Sequence, residues 1–173
     1  MKGVSRGMIR AGVFCALIAV CSQVALPLPA GIPITLQTLA VALCGYSLGW
    51  KWASAAVAVY LLLGGIGLPL YSGFAGGFGW LFGGPTAGFL WGFLVVAACC
   101  GLPLKNRPLS VLAGIGGMLA CHLLGVVWYG QITAQGLWPS FLAVSMPYLL
   151  KDVLCVAFAA WLANKLGFFK KRY

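Results

Sequence analysis

LSVLAGIGGMLACHLLGVVWY, running from Leu109 to Tyr129, contains no Lys, Arg, Asp or Glu, and His122 is its one side chain able to carry positive charge. A helix needs about 20 mostly apolar residues to cross about 30 Å of hydrocarbon, so this stretch reads as a membrane span. Its surroundings agree. Of 173 residues, 62% are apolar and 7% charged, against roughly 25% charged in a soluble domain. The expected fold class is an all-α integral membrane protein with six transmembrane helices. They are placed at Met8–Leu26, Ile34–Trp50, Trp52–Ile66, Pro85–Leu102, Leu109–Tyr129 and Pro147–Gly167. The third is short for a span. No segment repeats with a period of 20–50 residues, so residues 1–173 read as a single membrane domain.

The net charge of +10 raises nucleic acid as a partner, but the placement of the basic residues excludes it. Lys2, Arg6 and Arg10 precede the first span; Lys51 separates the second and third; Lys105 and Arg107 separate the fourth and fifth; Lys165, Lys170, Lys171 and Arg172 follow the last. The opposite connections, Pro27–Pro33, Gly67–Gly84 and Gly130–Ser140, hold no Lys or Arg. This positive-inside asymmetry predicts cytoplasmic N and C termini. A cleaved signal peptide over residues 1–30 is the competing reading, but its removal would leave five spans and break the charge alternation. A lipoprotein reading at Cys21 suffers from Val20, a poor match to the small residue required. The seven cysteines, Cys15, Cys21, Cys44, Cys99, Cys100, Cys121 and Cys155, all fall in predicted spans without a C-x-x-C pair. They read as small hydrophobes, not as a disulfide or metal framework.

Ionisable residues inside a bilayer are costly and point to function. Asp152 is the chain's only acidic residue, and Lys151 precedes it directly. Counting back from Lys165 at about 1.5 Å per residue puts Asp152 roughly 20 Å from the cytoplasmic end, in the outer third of the membrane. Ser145, Tyr148, Asp152 and Cys155 recur at helical spacing and would share a face. Pro147 suits a first helical turn, which would set Tyr148 and Asp152 near the positive end of a helix dipole. Lys151 and Asp152 read either as a structural ion pair or as a site in which Lys151 receives a small anion. His122 lies at a similar depth and reads either as a packed, hydrogen-bonded histidine or as a ligand contact.

On the same outer side lies YSGFAGGFGWLFGGPTAGF (Tyr71–Phe89), in which seven of nineteen residues are glycine. Glycine admits close backbone approach and exposes N–H groups to an anion, while the interleaved aromatics can enclose an apolar ring. Non-helical backbone at membrane depth is tolerated where it covers a cavity. A loop folded over a pocket meets that condition. It is no nucleotide loop, because no lysine occurs between Lys51 and Lys105, and G-x-x-x-x-G-K-[ST] requires one.

Four segments taken in order, PITLQTLAVALCGYSLG (Pro33–Gly49), YLLLGGIGLPLYSGFAGG (Tyr60–Gly77), FGGPTAGFLWGF (Phe82–Phe93) and PYLLKD (Pro147–Asp152), resemble the BioY family. That family is the biotin-binding S component of energy-coupling factor (ECF) transporters. The resemblance implies biotin as transported substrate, no cofactor, no enzymatic activity and residence in the bacterial cytoplasmic membrane. It also implies an outward pocket under the loop between the third and fourth helices, and a cytoplasmic face that docks a transmembrane coupling protein driven by two ATPases. In the family an Asp-x-x-Lys pattern on the sixth helix contacts biotin. Asp152 matches its aspartate, Cys155 stands at the lysine position, and Lys151 is the displaced candidate. The implied substrate contacts are Asp152, Lys151, Tyr148, Gln37, Thr35 and His122, with Ser72, Phe74, Gly76, Gly77, Trp80 and Thr86 from the loop and its edges. Gln37 and Thr35 read equally as interhelical hydrogen-bonding groups. Coupling-subunit docking candidates are the small pairs Ala11–Cys15 and Gly12–Ala16 on the first helix, a pattern that also packs helices within one protein. Two other functions remain open at this stage: the same architecture carrying another small vitamin, and an intramembrane hydrolase built from His122 with Ser72 or Ser145.

Overall fold

The computed structural model describes residues 2–26 and 32–168. Lys170, Lys171, Arg172 and most of the Pro27–Pro33 connection lie outside the described residues. Eight α-helices occur among the described residues: α1 Lys2–Gln23, α2 Gln37–Leu48, α3 Trp50–Gly65, α4 Phe78–Phe82, α5 Ala87–Cys100, α6 Arg107–Ile132, α7 Leu137–Val144 and α8 Met146–Lys165. One short antiparallel pair, β1 Ala25–Leu26 with β2 Ile34–Thr35, is registered Ala25 to Thr35 and Leu26 to Ile34.

Helices α1, α6 and α8 are long and apolar enough to cross a membrane, while α2 and α5 are shorter apolar helices. The helix expected over Ile34–Trp50 starts three residues late and ends early. Ile34 and Thr35 are spent on the strand pair, and the chain turns at Gly49 with φ 82° before α3 begins. At about 1.5 Å per residue α2 covers only about 18 Å. The helix over Leu109–Tyr129 is instead longer than expected. Pro108 sits in the first turn of α6, where a missing N–H is harmless, and the helix continues through the start of the expected connection Gly130–Ser140. The rest of that connection contains the start of α7. Likewise Gly67–Gly84 is no open loop: it holds a 3₁₀ turn at Ser72–Phe74 and the short α4.

Helix α2 sits centrally, touching α1, α3, α5 and α8. Tyr46, Val41 and Cys44 from α2 pack with Ile18, Tyr60, Val57, Val96 and Val156 in one core. The α5–α6 crossing depends on small residues: a Cβ on Gly92 would lie 2.5 Å from Cys121 Sγ and 2.9 Å from Cys121 Cα. Small side chains let membrane helices approach closely enough for dispersion to hold them. On the outside, Leu150, Leu154, Phe158 and Trp161 form an exposed apolar stripe along α8, as a lipid-facing surface requires.

The bundle has two different ends. At one, the Trp50 N–H donates to Gly101 O at 2.9 Å and Gly7 abuts the Trp52 indole. The α2–α3 turn, the α5–α6 connection and the start of α1 therefore meet there, bringing the segments that contain Arg6, Arg10, Lys51, Lys105 and Arg107 together. Lys51 lies over the Trp50 ring, 5.4 Å from its centroid. The other end, where α1 stops and α8 starts, contains a cavity.

Candidate functional site

About 790 Å³ of space, including an open mouth, lies between the start of α8, the stretch leading into α2, the Tyr71–Trp80 segment and the first turns of α5. Met118 and Cys121 of α6 form part of its lining. The walls are unequal in character. Trp80, Phe89, Leu90 and Phe93 present apolar surface, whereas Thr35, Gln37, Thr38, Tyr148, Lys151 and Asp152 bring polar groups to the opposite elements. A mostly apolar cleft with a few converging polar groups is the form of a small-molecule site.

Pro147 lies in the first turn of α8, and the helical period then carries Tyr148, Lys151 and Asp152 to the same cavity. Asp152 is the seventh residue of that helix. It lies beyond the first turn, where a helix dipole acts most strongly, so the expected dipole support is minor and its compensation comes from side chains. Lys151 Nζ forms an ion pair with Oδ1 and donates to Thr35 O at 3.1 Å. His122 Nε2 lies 3.2 Å from Oδ2, and Ser145 Oγ lies 2.9 Å from His122 Nδ1. Oδ1 is buried against the Lys151 ammonium. Tyr148 donates its hydroxyl to Ile32 O, tying α8 to the segment before β2.

Eight of the expected contacts line the cavity: Thr35, Gln37, Ser72, Trp80, Thr86, Tyr148, Lys151 and Asp152. Gln37 makes the expected interhelical bond, donating to Tyr60 Oη at 2.8 Å, and also lines the cavity. Among the described residues, Ser72 Oγ is buried without a partner. Four expected contacts are elsewhere. Phe74 is 71% exposed, with its ring outside the cavity. Gly76 and Gly77 shape the loop: a Cβ on Gly76 would come within 2.4 Å of Leu68 O, and Gly77, at φ 101°, donates to Gly64 O at 2.7 Å. His122 is buried behind Asp152, with Phe89 packed edge-on at 5.7 Å. Among the lining residues that sequence reasoning missed are Thr38, Leu90, Phe93, Met118, Cys121 and Val144. Met118 and Cys121 lie on α6, four and one positions before His122.

The Tyr71–Trp80 segment is fastened from α1. Gln23 Nε2 donates to Leu70 O at 3.2 Å and Tyr71 O at 3.1 Å, its Oε1 accepts from the Phe74 N–H at 3.0 Å, and Ser22 Oγ donates to Leu70 O at 2.6 Å. Burial pushes the Tyr71 phenol up to about 12, so it stays protonated and donates to Leu61 O at 2.7 Å. Lower on α1 the two small pairs diverge. Ala11 and Cys15 are buried in the core, while Gly12 and Ala16 are exposed.

Comparison with known proteins follows the same outline. The BioY family model matches residues 1–171, which contain every residue of the cavity. This chain belongs to the BioY family. A "Biotin transporter BioY" from Rhodobacter capsulatus is 36% identical, over 94% of this chain and 93% of its own length. Another from Thermotoga maritima is 35% identical, over 93% of this chain and 95% of its own. A crystal structure described as the S-component for biotin from an ECF-type ABC transporter shares the fold with a TM-score of 0.80 and 22% identity, over 94% of this chain and 93% of that one. With this fold and the apolar α1, α6 and α8, the BioY-family chain is a multi-pass membrane protein.

Proposed function

We propose that this protein captures biotin in the α2–α5–α8 cavity, as the substrate-binding membrane subunit of an ECF-type transporter, and thereby serves biotin uptake. The observation that carries this reading is the buried Asp152 carboxylate, paired with the Lys151 ammonium at the polar side of an aromatic-walled cavity. Biotin supplies a ureido N–H for that oxygen, fused rings for Trp80 and Phe89, and a carboxylate for the partly exposed Lys151 or loop N–H groups. Both relatives above carry the name of a biotin transporter.

In this reading six helices span a bacterial cytoplasmic membrane with both termini inside. The cavity faces out under the Gln23-fastened segment, and the basic end faces the cytoplasm, where a coupling protein and two ATPases supply energy. Capture is then independent of ATP, and release inside requires it. The hydroxyl–imidazole–carboxylate series Ser145–His122–Asp152 has the residue types of a hydrolase triad. However, Ser145 is 1% exposed and outside the cavity, so its hydroxyl cannot attack a bound molecule. Equilibrium binding of radiolabelled biotin to the purified chain is the test. Saturable submicromolar binding that Asp152→Asn abolishes is expected; absence of binding, with another vitamin bound instead, would overturn the biotin assignment.

A further inference from the structure

Asp152 has two carboxylate oxygens in different surroundings, and the difference traces to residues outside the cavity. An ionised carboxylate only accepts hydrogen bonds. The ring nitrogen facing Oδ2, His122 Nε2 at 3.2 Å, must therefore carry the proton. In neutral imidazole the other nitrogen is then an acceptor. Ser145 Oγ, 2.9 Å from Nδ1, is the donor that fits it. With a neutral imidazole the series therefore runs in one direction, from the Ser145 hydroxyl to Nδ1 and from Nε2–H to Oδ2. His122 and Ser145 are 4% and 1% exposed, and neither lines the cavity. The edge of the imidazole against Phe89, a cavity residue, further fixes the ring plane.

We infer that Ser145 and His122 form a positioning relay that occupies one oxygen of Asp152 and turns the other, Oδ1, to the ligand. His122 is a positioning residue; it touches the aspartate and not the bound molecule. The inference rests on the reading of Asp152 as a biotin contact and adds a consequence for specificity. A carboxylate free to rotate about χ2 would offer either oxygen along a range of directions. One pinned at Oδ2 holds Oδ1 in a fixed direction against the Lys151 ammonium, with a second lone pair left to accept, and so selects ligands with an N–H donor at that point. A site built around such a buried carboxylate disfavours analogues lacking the donor, because one of its lone pairs is then left unfilled.

His122 is the only histidine in the chain, so labelling with ¹⁵N-histidine gives one imidazole to observe in the purified full-length protein. The expected spectrum is that of a single Nε2–H tautomer, displaced by Asp152→Asn at Nε2 and by Ser145→Ala at Nδ1. An averaged pair of tautomers that neither substitution alters would overturn the relay. Biotin affinity supplies the second readout. His122→Phe keeps a ring beside Phe89 but has no N–H, and is expected to weaken binding about tenfold or more. His122→Gln places an amide N–H near the Nε2 position, and is expected to recover most of the loss. Equal affinity for wild type and His122→Phe, or a Gln variant no better than Phe, would also overturn it. Should wild-type protein bind no biotin while the imidazole remains pinned, the biotin assignment fails and the relay stands as the holder of Asp152. Should biotin bind tightly with an unpinned imidazole, the relay fails and the assignment stands.

Discussion

Lys151 and Asp152 are neighbours in sequence and an ion pair in space, although adjacent helical residues point about 100° apart. The lysine manages this by reaching back across the cavity edge to Thr35 O, which leaves its side chain 27% exposed against 9% for the aspartate. A residue three positions later points about 60° from Asp152 on the same side as the residue before it. Lysine at 151 or at 155 therefore serves nearly the same sector, one turn apart along the axis. Lys151→Met strands a buried carboxylate and is expected to weaken biotin binding tenfold or more, measured by titration calorimetry in detergent. Adding Cys155→Lys to that variant is expected to restore part of the affinity, since Cys155 is half-buried beside the pair. No recovery would mean that Lys151 acts through Thr35 and the α2 entry, not through its charge on Asp152. The pair itself was legible in the sequence because acidic residues are so scarce there. The partners of Asp152 were not. Nothing in the local pattern tells that His122, thirty positions earlier, bonds to the aspartate and leaves the cavity to Met118 and Cys121. That choice is made by the angle at which α6 crosses α8, which hydrophobic periodicity does not encode.

At the scale of elements, spans were legible wherever apolar length alone decides them, as in α6 and α8, and their ends were misread wherever the chain leaves the helix to build the site. Residues 34–36 are as apolar as a helix start, but β-pairing and the bonds to Thr35 claim them. Tyr71, Ser72, Ala75 and Trp80 of the glycine-rich segment line the cavity, whereas the segment's internal order, a 3₁₀ turn and α4, comes from contacts with α1 and α3 that composition does not show. Gln23 supplies three of those contacts. Each is worth about 0.5–1.5 kcal/mol net, and Phe74, whose N–H it accepts, sits at a left-handed φ of 58° that a non-glycine residue resists. Gln23→Ala is expected to loosen the cover and speed biotin dissociation about tenfold, with a smaller change for Gln23→Glu, which keeps the acceptor for Phe74. An unchanged off-rate, followed by filter release of labelled biotin, would show that this cover does not limit exit. The α5–α6 seam makes a different prediction. Gly92→Val forces a branched side chain against Cys121 Cα and is expected to cost about 3 kcal/mol or more by overpacking, seen as a lower unfolding temperature.

For the whole molecule, the cavity and the basic end are joined by one continuous element, α1. Its last turn fastens the cavity cover through Ser22 and Gln23, and its middle exposes Gly12 and Ala16, with Val13 exposed beside them. The sequence offered two small pairs and no way to choose, because small-x-x-x-small serves packing inside a protein and between proteins alike. Burial separates them. Ala11 and Cys15 are already used by the core, so only Gly12 and Ala16 can admit a second helix at close range. A Cβ on Gly12 meets nothing within 4 Å, hence Gly12→Leu with Ala16→Leu is expected to leave folding and biotin affinity within about twofold of wild type. The same pair of leucines should block the close approach of a coupling helix and abolish ATP-dependent uptake in cells carrying the complete transporter. Ala11→Leu is the contrasting case: it inserts bulk into the core, and is expected to lower thermal stability even for the isolated subunit. Wild-type uptake by the double-leucine variant would move the docking surface off this face of α1. Loss of biotin binding by the same variant would show instead that the face is coupled to the cavity through Ser22 and Gln23, so that partner docking and ligand affinity share one free-energy linkage.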